Sequence, residues 1–187
     1  MKVTQTSLPG LVLIEPKVFP DSRGYFFESY NSRLLSALGI ENIFVQDNQS
    51  SSQYGVIRGL HYQREPHAQT KLIRVLSGSI YDVAVDVRKN SPSFGQWYGI
   101  ELSAENHLQL LIPKGFAHGF SVLSEKADIL YKCDNYYAPE SEGGINCLDS
   151  KLSIDWKIPS GKVIISPRDK ELASFENAVH NFIFAAG

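Results

Sequence analysis

The sequence predicts an all-β fold, an antiparallel sandwich or barrel with a few short peripheral helices. Three observations predict it. Short runs rich in β-branched and aromatic residues recur along most of the chain, and Gly, Pro and Asn punctuate them at regular intervals. One run, residues 80–88, alternates cleanly, with Tyr81, Val83, Val85 and Val87 on one face. Neither an internal repeat nor a linker divides the chain, so residues 1–187 form one domain.

The elements follow in order. Residues 11–14 and 17–19 read as short strands broken by Pro16 and Pro20. The turn Asp21-Ser22-Arg23-Gly24 feeds an aromatic strand over 25–30. A helix comes next, with Asn31 or Ser32 as N-cap, an apolar face of Leu34, Leu35 and Leu38, and Gly39 as its stop. Residues 43–45 lead into Gln46-Asp47-Asn48-Gln49-Ser50, which is either a plain loop or a row of hydrogen-bonding groups beside a ligand. A strand at 58–63 puts Arg58, Leu60 and Tyr62 on one face and Gly59, His61 and Gln63 on the other. The strand over 71–76 ends at a hairpin turn, Ser77-Gly78, and returns as 80–88. Further strands are expected at 97–102, 108–112, 116–123 and 127–133, the last grouping Ile129, Tyr131 and Cys133. From Asp169 onward the tail can form a helix, with Asp169 as N-cap and Leu172, Phe175, Ala178 and Val179 on an apolar face.

Composition narrows the function. A net charge of −2 gives no reason to expect nucleic acid or an anionic membrane surface as partner. No apolar run is long enough to cross a bilayer, and the start lacks a basic stretch followed by an apolar one, which points to a soluble, cytoplasmic protein. The two cysteines, Cys133 and Cys147, are widely spaced and suggest neither a disulfide scaffold nor a zinc site, so both are expected buried and reduced.

His61 is the first candidate for chemistry, because an imidazole titrates near neutral pH and a walled His serves as a general base. The plainer alternative is a core His bonded to backbone. Pro113-Lys114-Gly115-Phe116-Ala117-His118 has the P-x-G-x-x-H form of the second characteristic stretch of cupins, which are double-sheet jelly rolls with an interior active site. The first cupin stretch would supply a second and third metal ligand, but Tyr62 and Gln63 follow His61, and His67 lies in an expected loop. A pocket without metal is the expectation. With His61 as base, Lys71 beside a carbonyl oxygen and Tyr131 as acid on the opposite side, such a pocket suits an epimerase. A metal-dependent cupin and a non-catalytic sugar-binding jelly roll are the competing readings, and Tyr131 is alternatively a buried aromatic with a backbone partner.

Several stretches together resemble one family. These are Glu15-Pro16-Lys17-Val18-Phe19, Asp21-Ser22-Arg23-Gly24, Val45-Gln46-Asp47-Asn48, Arg58-Gly59-Leu60-His61-Tyr62-Gln63, Leu102-Ser103-Ala104-Glu105-Asn106, the segment from Pro113 to Phe120, and Tyr131-Lys132 through Tyr137. They are similar to the dTDP-4-dehydrorhamnose 3,5-epimerases, from the first strand to about Asp169. The resemblance implies a cupin-type antiparallel jelly roll, its core about residues 10–157 and its C-terminal tail about 158–187. It implies a homodimeric enzyme, free of metal and cofactor, that inverts C3 and C5 of dTDP-4-dehydro-6-deoxyglucose on the route to dTDP-L-rhamnose for surface polysaccharides. By the same resemblance His61 is the base, Asp169 in Ser166-Pro167-Arg168-Asp169 its carboxylate partner, Lys71 the enolate stabiliser and Tyr131 the acid. Tyr137 is implied to stack on thymine, and Arg23, Glu28, Gln46, Asp47, Asn48, Arg58, His118, Glu142 and Arg168 to contact substrate. Arg23 and Glu28 are expected to reach the neighbouring subunit's pocket. Gln49, Thr70, Cys147 and Arg168 depart from the residues usual there, without removing a proposed catalytic group.

Overall fold

The structure, a computed structural model, describes residues 1–185. Its strands in chain order are β1 (Lys2–Gln5), β2 (Val12–Glu15), β3 (Phe19–Asp21), β4 (Gly24–Phe26), β5 (Gln46–Gln53), β6 (Val56–Gln63) and β7 (Lys71–Ser77). There follow β8 (Ser79–Asp86), β9 (Trp97–Ser103), β10 (Gln109–Ile112), β11 (Phe116–Val122), β12 (Lys126–Cys133), β13 (Glu142–Gly144) and β14 (Ile164–Ile165). Helix α1 (Ser32–Ala37) and the single turn α2 (Pro167–Lys170) are short, and no described helix is long and apolar enough to cross a membrane.

Two sheets face each other. The first has the order β1-β2-β10-β7-β12-β5, the second β13-β6-β11-β8-β9 with β14 alongside β6. From β5 to β8 each successive strand joins the opposite sheet, and the chain crosses again after β9, β10, β11 and β12. The expected hairpin at Ser77-Gly78 is therefore a crossover, since β7 and β8 do not pair. Gly78 carries φ +75° there, and a Cβ would fall 2.1 Å from the Lys126 carbonyl oxygen, so the turn packs too closely against β12 for any side chain.

Apolar clusters fill the space between the sheets and cover part of each outer face. Ile73, Ile112 and Ile129 of the first sheet meet Ile80, Leu102 and Phe120 of the second in the space between. Ile57, Val83 and Val85 on the second sheet's outer face are covered by Ile145, Trp156 and Phe182 from the C-terminal third. Leu35 and Ile40, on and just after α1, cover Ile14, Leu72 and Leu111 of the first sheet. At about 1.5–3 kcal/mol for each fully buried Leu or Ile, these three clusters dominate the folding energy. They also explain β8, whose alternation holds although Asp82 and Asp86 on its other face are as buried as Val83 and Val85.

Other local expectations meet mixed outcomes. Asn31 caps α1, its side chain accepting from the Leu34 amide at 3.1 Å. The aromatic strand stops at Phe26, and β3 starts only at Phe19. Residues 46–50 are strand, not loop: β5 pairs along β12 from Gln53↔Lys126 to Gln46↔Cys133. The tail helix shrinks to one turn capped by Ser166, whose Oγ accepts from the Asp169 amide, so Asp169 is not the N-cap. Beyond it Phe175, Ala178 and Phe182 still reach the core, but along an irregular path over the second sheet. Both cysteines are free and buried, and burial pushes the Cys147 thiol up to about 11.

Candidate active site

Strand β6 carries the central imidazole, and its backbone departs from simple alternation. The pairing of β6 with β11 slips by one residue between His118↔His61 and Phe120↔Arg58, a β-bulge at Gly59. The bulge turns Arg58 and His61 toward the same cleft, where strict alternation would place them on opposite faces. Gly59 has φ +123°, and a Cβ on it would lie 2.5 Å from the Gly119 Cα.

His61 is held by the C-terminal segment. Its Nε2 lies 2.9 Å from Asp169 Oδ1, while the Gly59 amide donates to Asp169 Oδ2 at 3.3 Å. Asp169 is buried, and its carboxylate favours the tautomer with the proton on Nε2, leaving Nδ1 as the basic nitrogen. Burial pulls His61 below its ordinary value of 6.5, and the Asp169 hydrogen bond and charge only partly restore it. At neutral pH the ring is a free base.

The facing sheet supplies the other groups. Lys71 opens β7 and Tyr131 sits on β12, in register with Ile73 and Asn48. The Lys71 ammonium stands 5.9 Å from the Tyr131 ring centroid and has no carboxylate within 4.0 Å among the described residues. Burial lowers the Lys71 amine and raises the Tyr131 phenol, so the phenol is protonated at neutral pH. The phenol hydroxyl makes no hydrogen bond among the described residues.

The cleft has two lobes that share His61, Lys71 and Tyr131. One, of about 580 Å³, is further lined by Ser50, Arg58, His118, Phe120, Arg168 and Asp169; the other, of about 280 Å³, by Gln46, Asn48, Gln63, Tyr137 and Glu142. Between them Arg168 pairs with Glu142, which also accepts from the Tyr137 hydroxyl at 2.9 Å. Burial alone would raise the Glu142 carboxyl, but these two partners hold it below the usual carboxylate range. Arg58 is steadied by Ser52, to which its Nε donates at 2.9 Å. His118 stands opposite His61 across the strand pair and binds the buried Asp82 carboxylate through Nε2 at 2.9 Å. Both imidazoles thus commit Nε2 to a carboxylate, and no group of three or more His, Cys, Asp or Glu is arranged to hold a metal among the described residues. A base on one wall, with an acid and a cation on the other, is the equipment for moving a proton across a carbon next to a carbonyl.

Comparison with known proteins identifies the family. The model of the family described as dTDP-4-dehydrorhamnose 3,5-epimerase matches residues 5–177. The chain belongs to that family. A relative of that name from Escherichia coli K12 is 50% identical over 180 residues, which cover 96% of this chain and 97% of the relative. The crystal structure of the epimerase from Elizabethkingia anophelis NUHP1 superposes with TM-score 0.90 at 54% identity, over 95% of this chain and 97% of that one. A Legionella pneumophila Philadelphia 1 epimerase, solved in complex with dTDP-4-keto-L-rhamnose, gives 0.89 at 51% identity over 94% and 93%. The chain is accordingly an isomerase of the epimerase class, with the antiparallel double-sheet jelly roll of these relatives.

Not every residue marked by resemblance to these epimerases lies in the cleft of one chain. Gln46 and Asn48 face it, but Asp47 alternates to the outer side and binds Lys132 at 2.8 Å. Arg23, on the β3–β4 ribbon, is exposed and paired with Asp21; Glu28 is exposed and accepts from Asn31. Tyr137, though half-exposed, borders the smaller lobe, and its amide donates to Gln46 Oε1 at 3.0 Å. Asp82 and Ser52 are the residues that sequence reasoning misses, whereas Ser50 belongs to the row of hydrogen-bonding groups that the sequence offers as one reading of residues 46–50. The available signal for Asp82 was a carboxylate in the middle of a strand otherwise made of core residues.

Proposed function

We infer that the chain inverts the configuration at C3 and C5 of dTDP-4-dehydro-6-deoxy-D-glucose, giving dTDP-4-dehydro-β-L-rhamnose for dTDP-L-rhamnose synthesis. The observation that carries the reading is the opposition of His61 to Tyr131 and Lys71 across one cleft. His61 Nδ1 takes the proton from a carbon beside the C4 ketone, and the electron pair moves onto the ketone oxygen. Lys71, whose charge is disfavoured by burial, regains stabilisation as that oxygen becomes negative. Tyr131 then returns a proton to the opposite face of the carbon. Asp169 stabilises the imidazolium formed in between. The imidazolium releases its proton to solvent, the phenolate regains one, and the substrate's composition is unchanged.

The guanidinium groups of Arg58 and Arg168 suit the diphosphate, since the planar fork matches phosphate oxygens. Phe19, Tyr25 and Phe26 on the β3–β4 ribbon are half to two-thirds exposed, which supports a homodimer in which the ribbon carries Arg23 toward the partner's cleft.

The test is turnover of dTDP-4-dehydro-6-deoxyglucose in D₂O followed by NMR. Deuterium is expected at both carbons flanking the ketone, together with inversion. Uptake at one carbon only would make the enzyme a monoepimerase, and no uptake would remove the reading altogether.

A further inference from the structure

The interior positions of β5 form a ladder: Gln46, Asn48, Ser50 and Ser52 alternate with the outward Asp47, Gln49 and Ser51. Three of the four are committed. Gln46 donates to Asn48 and accepts from the Tyr137 amide; Asn48 donates to Cys133 Sγ at 3.6 Å; Ser52 accepts from Arg58. Ser50 differs. It lines the larger lobe, yet its Oγ is shielded from solvent and has no hydrogen-bond partner within the protein. Natural interiors seldom leave a hydroxyl in that condition, and where they do a ligand or a function accounts for it.

Its position says which part of the substrate it meets. Asn48 is in register with Tyr131, and Ser50 with Ile129, so Ser50 stands one rung, about 7 Å, beyond the proton donor along the strand. That rung lies away from Tyr137 and Gln46, between Tyr131 and the Ser52 that holds Arg58, and it faces Val56, Arg58 and Phe120 on the other sheet. A hydroxyl set between the proton donor and a guanidinium suited to the diphosphate is placed for the sugar ring, the part of the substrate that joins the reacting carbon to the phosphates.

We propose that Ser50 is a positioning residue for the sugar. A turn about its χ1 brings Oγ into hydrogen-bond contact with a ring hydroxyl, and that contact fixes which carbon beside the ketone faces His61. The proposal rests on the epimerase reading. A serine hydroxyl both donates and accepts, as a sugar hydroxyl does, so the pair satisfies each other in either direction.

Ser50→Ala tests it, with Ser50→Thr as the conservative control and wild-type enzyme run in parallel. The alanine enzyme is expected to lose about tenfold in kcat/KM, the worth of one hydrogen bond in the transition state. The ratio of deuterium incorporated at the two carbons should change, with Tm unchanged or higher because no protein hydrogen bond is lost, and the threonine enzyme should restore both activity and ratio. The Kd for dTDP alone should stay at the wild-type value. Wild-type kcat/KM and ratio in Ser50→Ala overturn the proposal, as does an activity loss that tracks a fall in Tm. A weakened dTDP Kd would put the contact on the nucleotide and overturn the sugar assignment. Failure of the wild-type enzyme to take up deuterium would instead strike the epimerase reading, so the two failures are separable.

Discussion

Burial and a carboxylate pull on His61 in opposite directions, and burial wins. The acid limb of kcat/KM, which reports the free base, is therefore expected below pH 6.5, the ordinary imidazole value. Replacing Asp169 by Asn removes the group that raises His61, so the limb should move to still lower pH while kcat falls about 10²–10⁴-fold. A pH–rate profile of the variant checks this, and a limb that stays put would separate Asp169 from the base. Stability carries the same signature. Below 6.5 the unfolded chain binds a proton that the folded His61 resists, so stability falls as pH drops from 6.5 toward the depressed folded value and levels off beneath it. Tyr131→Phe should keep solvent exchange at the substrate carbon but lose net inversion, because removal of the proton by His61 is untouched. D₂O exchange compared with product formation distinguishes the two, and full turnover would reassign the acid. Lys71→Met is expected to slow kcat by about 10²–10³-fold through loss of charge stabilisation at the enolate oxygen.

At the level of single elements, the bulge in β6 governs where the chemistry points. A Cβ at Gly59 would meet the Gly119 Cα at 2.5 Å and the His118 carbonyl oxygen at 2.7 Å, with φ already at +123°. Gly59→Ala should cost about 1–3 kcal/mol of stability from backbone conformation alone, with more from the clash. It should also lower activity further than the stability loss explains; denaturant melts beside kcat/KM measure both. This bulge marks a boundary of what sequence reveals. Period-two patterning located most of the long strands, because each buries at least one apolar face. It also split Arg58 from His61, since a one-residue slip depends on the partner strand and leaves no local trace. Likewise Gln46 to Ser50 lack β-propensity, yet they form strand because one face borders a polar cleft and pairing with β12 satisfies the backbone. The tail's apolar spacing predicts helix, but the wide outer face of the second sheet draws Phe175 and Phe182 along an irregular path. The proposed catalytic residues His61, Lys71, Tyr131 and Asp169 are legible only through the resemblance of their motifs, and folding brings them to one cleft. Asp82 and Ser52 are not legible, because each matters only through a neighbour brought near by folding, His118 for one and Arg58 for the other.

For the molecule as a whole, Arg23 offers a direct test of assembly. If it serves the neighbouring subunit's cleft, Arg23→Ala and His61→Ala homodimers are each inactive, yet mixing and re-pairing them creates hybrids with one intact cleft. Activity should then recover to about a quarter of wild type, the share of undamaged sites expected from random pairing of two protomers. Activity assays after reversible dissociation measure this; no recovery would place Arg23 and His61 in the same cleft, and an active Arg23→Ala homodimer would leave Arg23 without a role. A broader consequence follows from the two facing sheets. In the proposed mechanism the donor and the acceptor of the proton, Tyr131 and His61, belong to separate slabs, held apart by the filling of Ile73, Ile80, Leu102 and Ile129. The width of the slot is thus set by bulk hidden beneath it, and a methyl group added or removed there alters how far a sugar can roll between one wall and the other. On that mechanism, stereochemical outcome is tunable from positions that never touch the substrate.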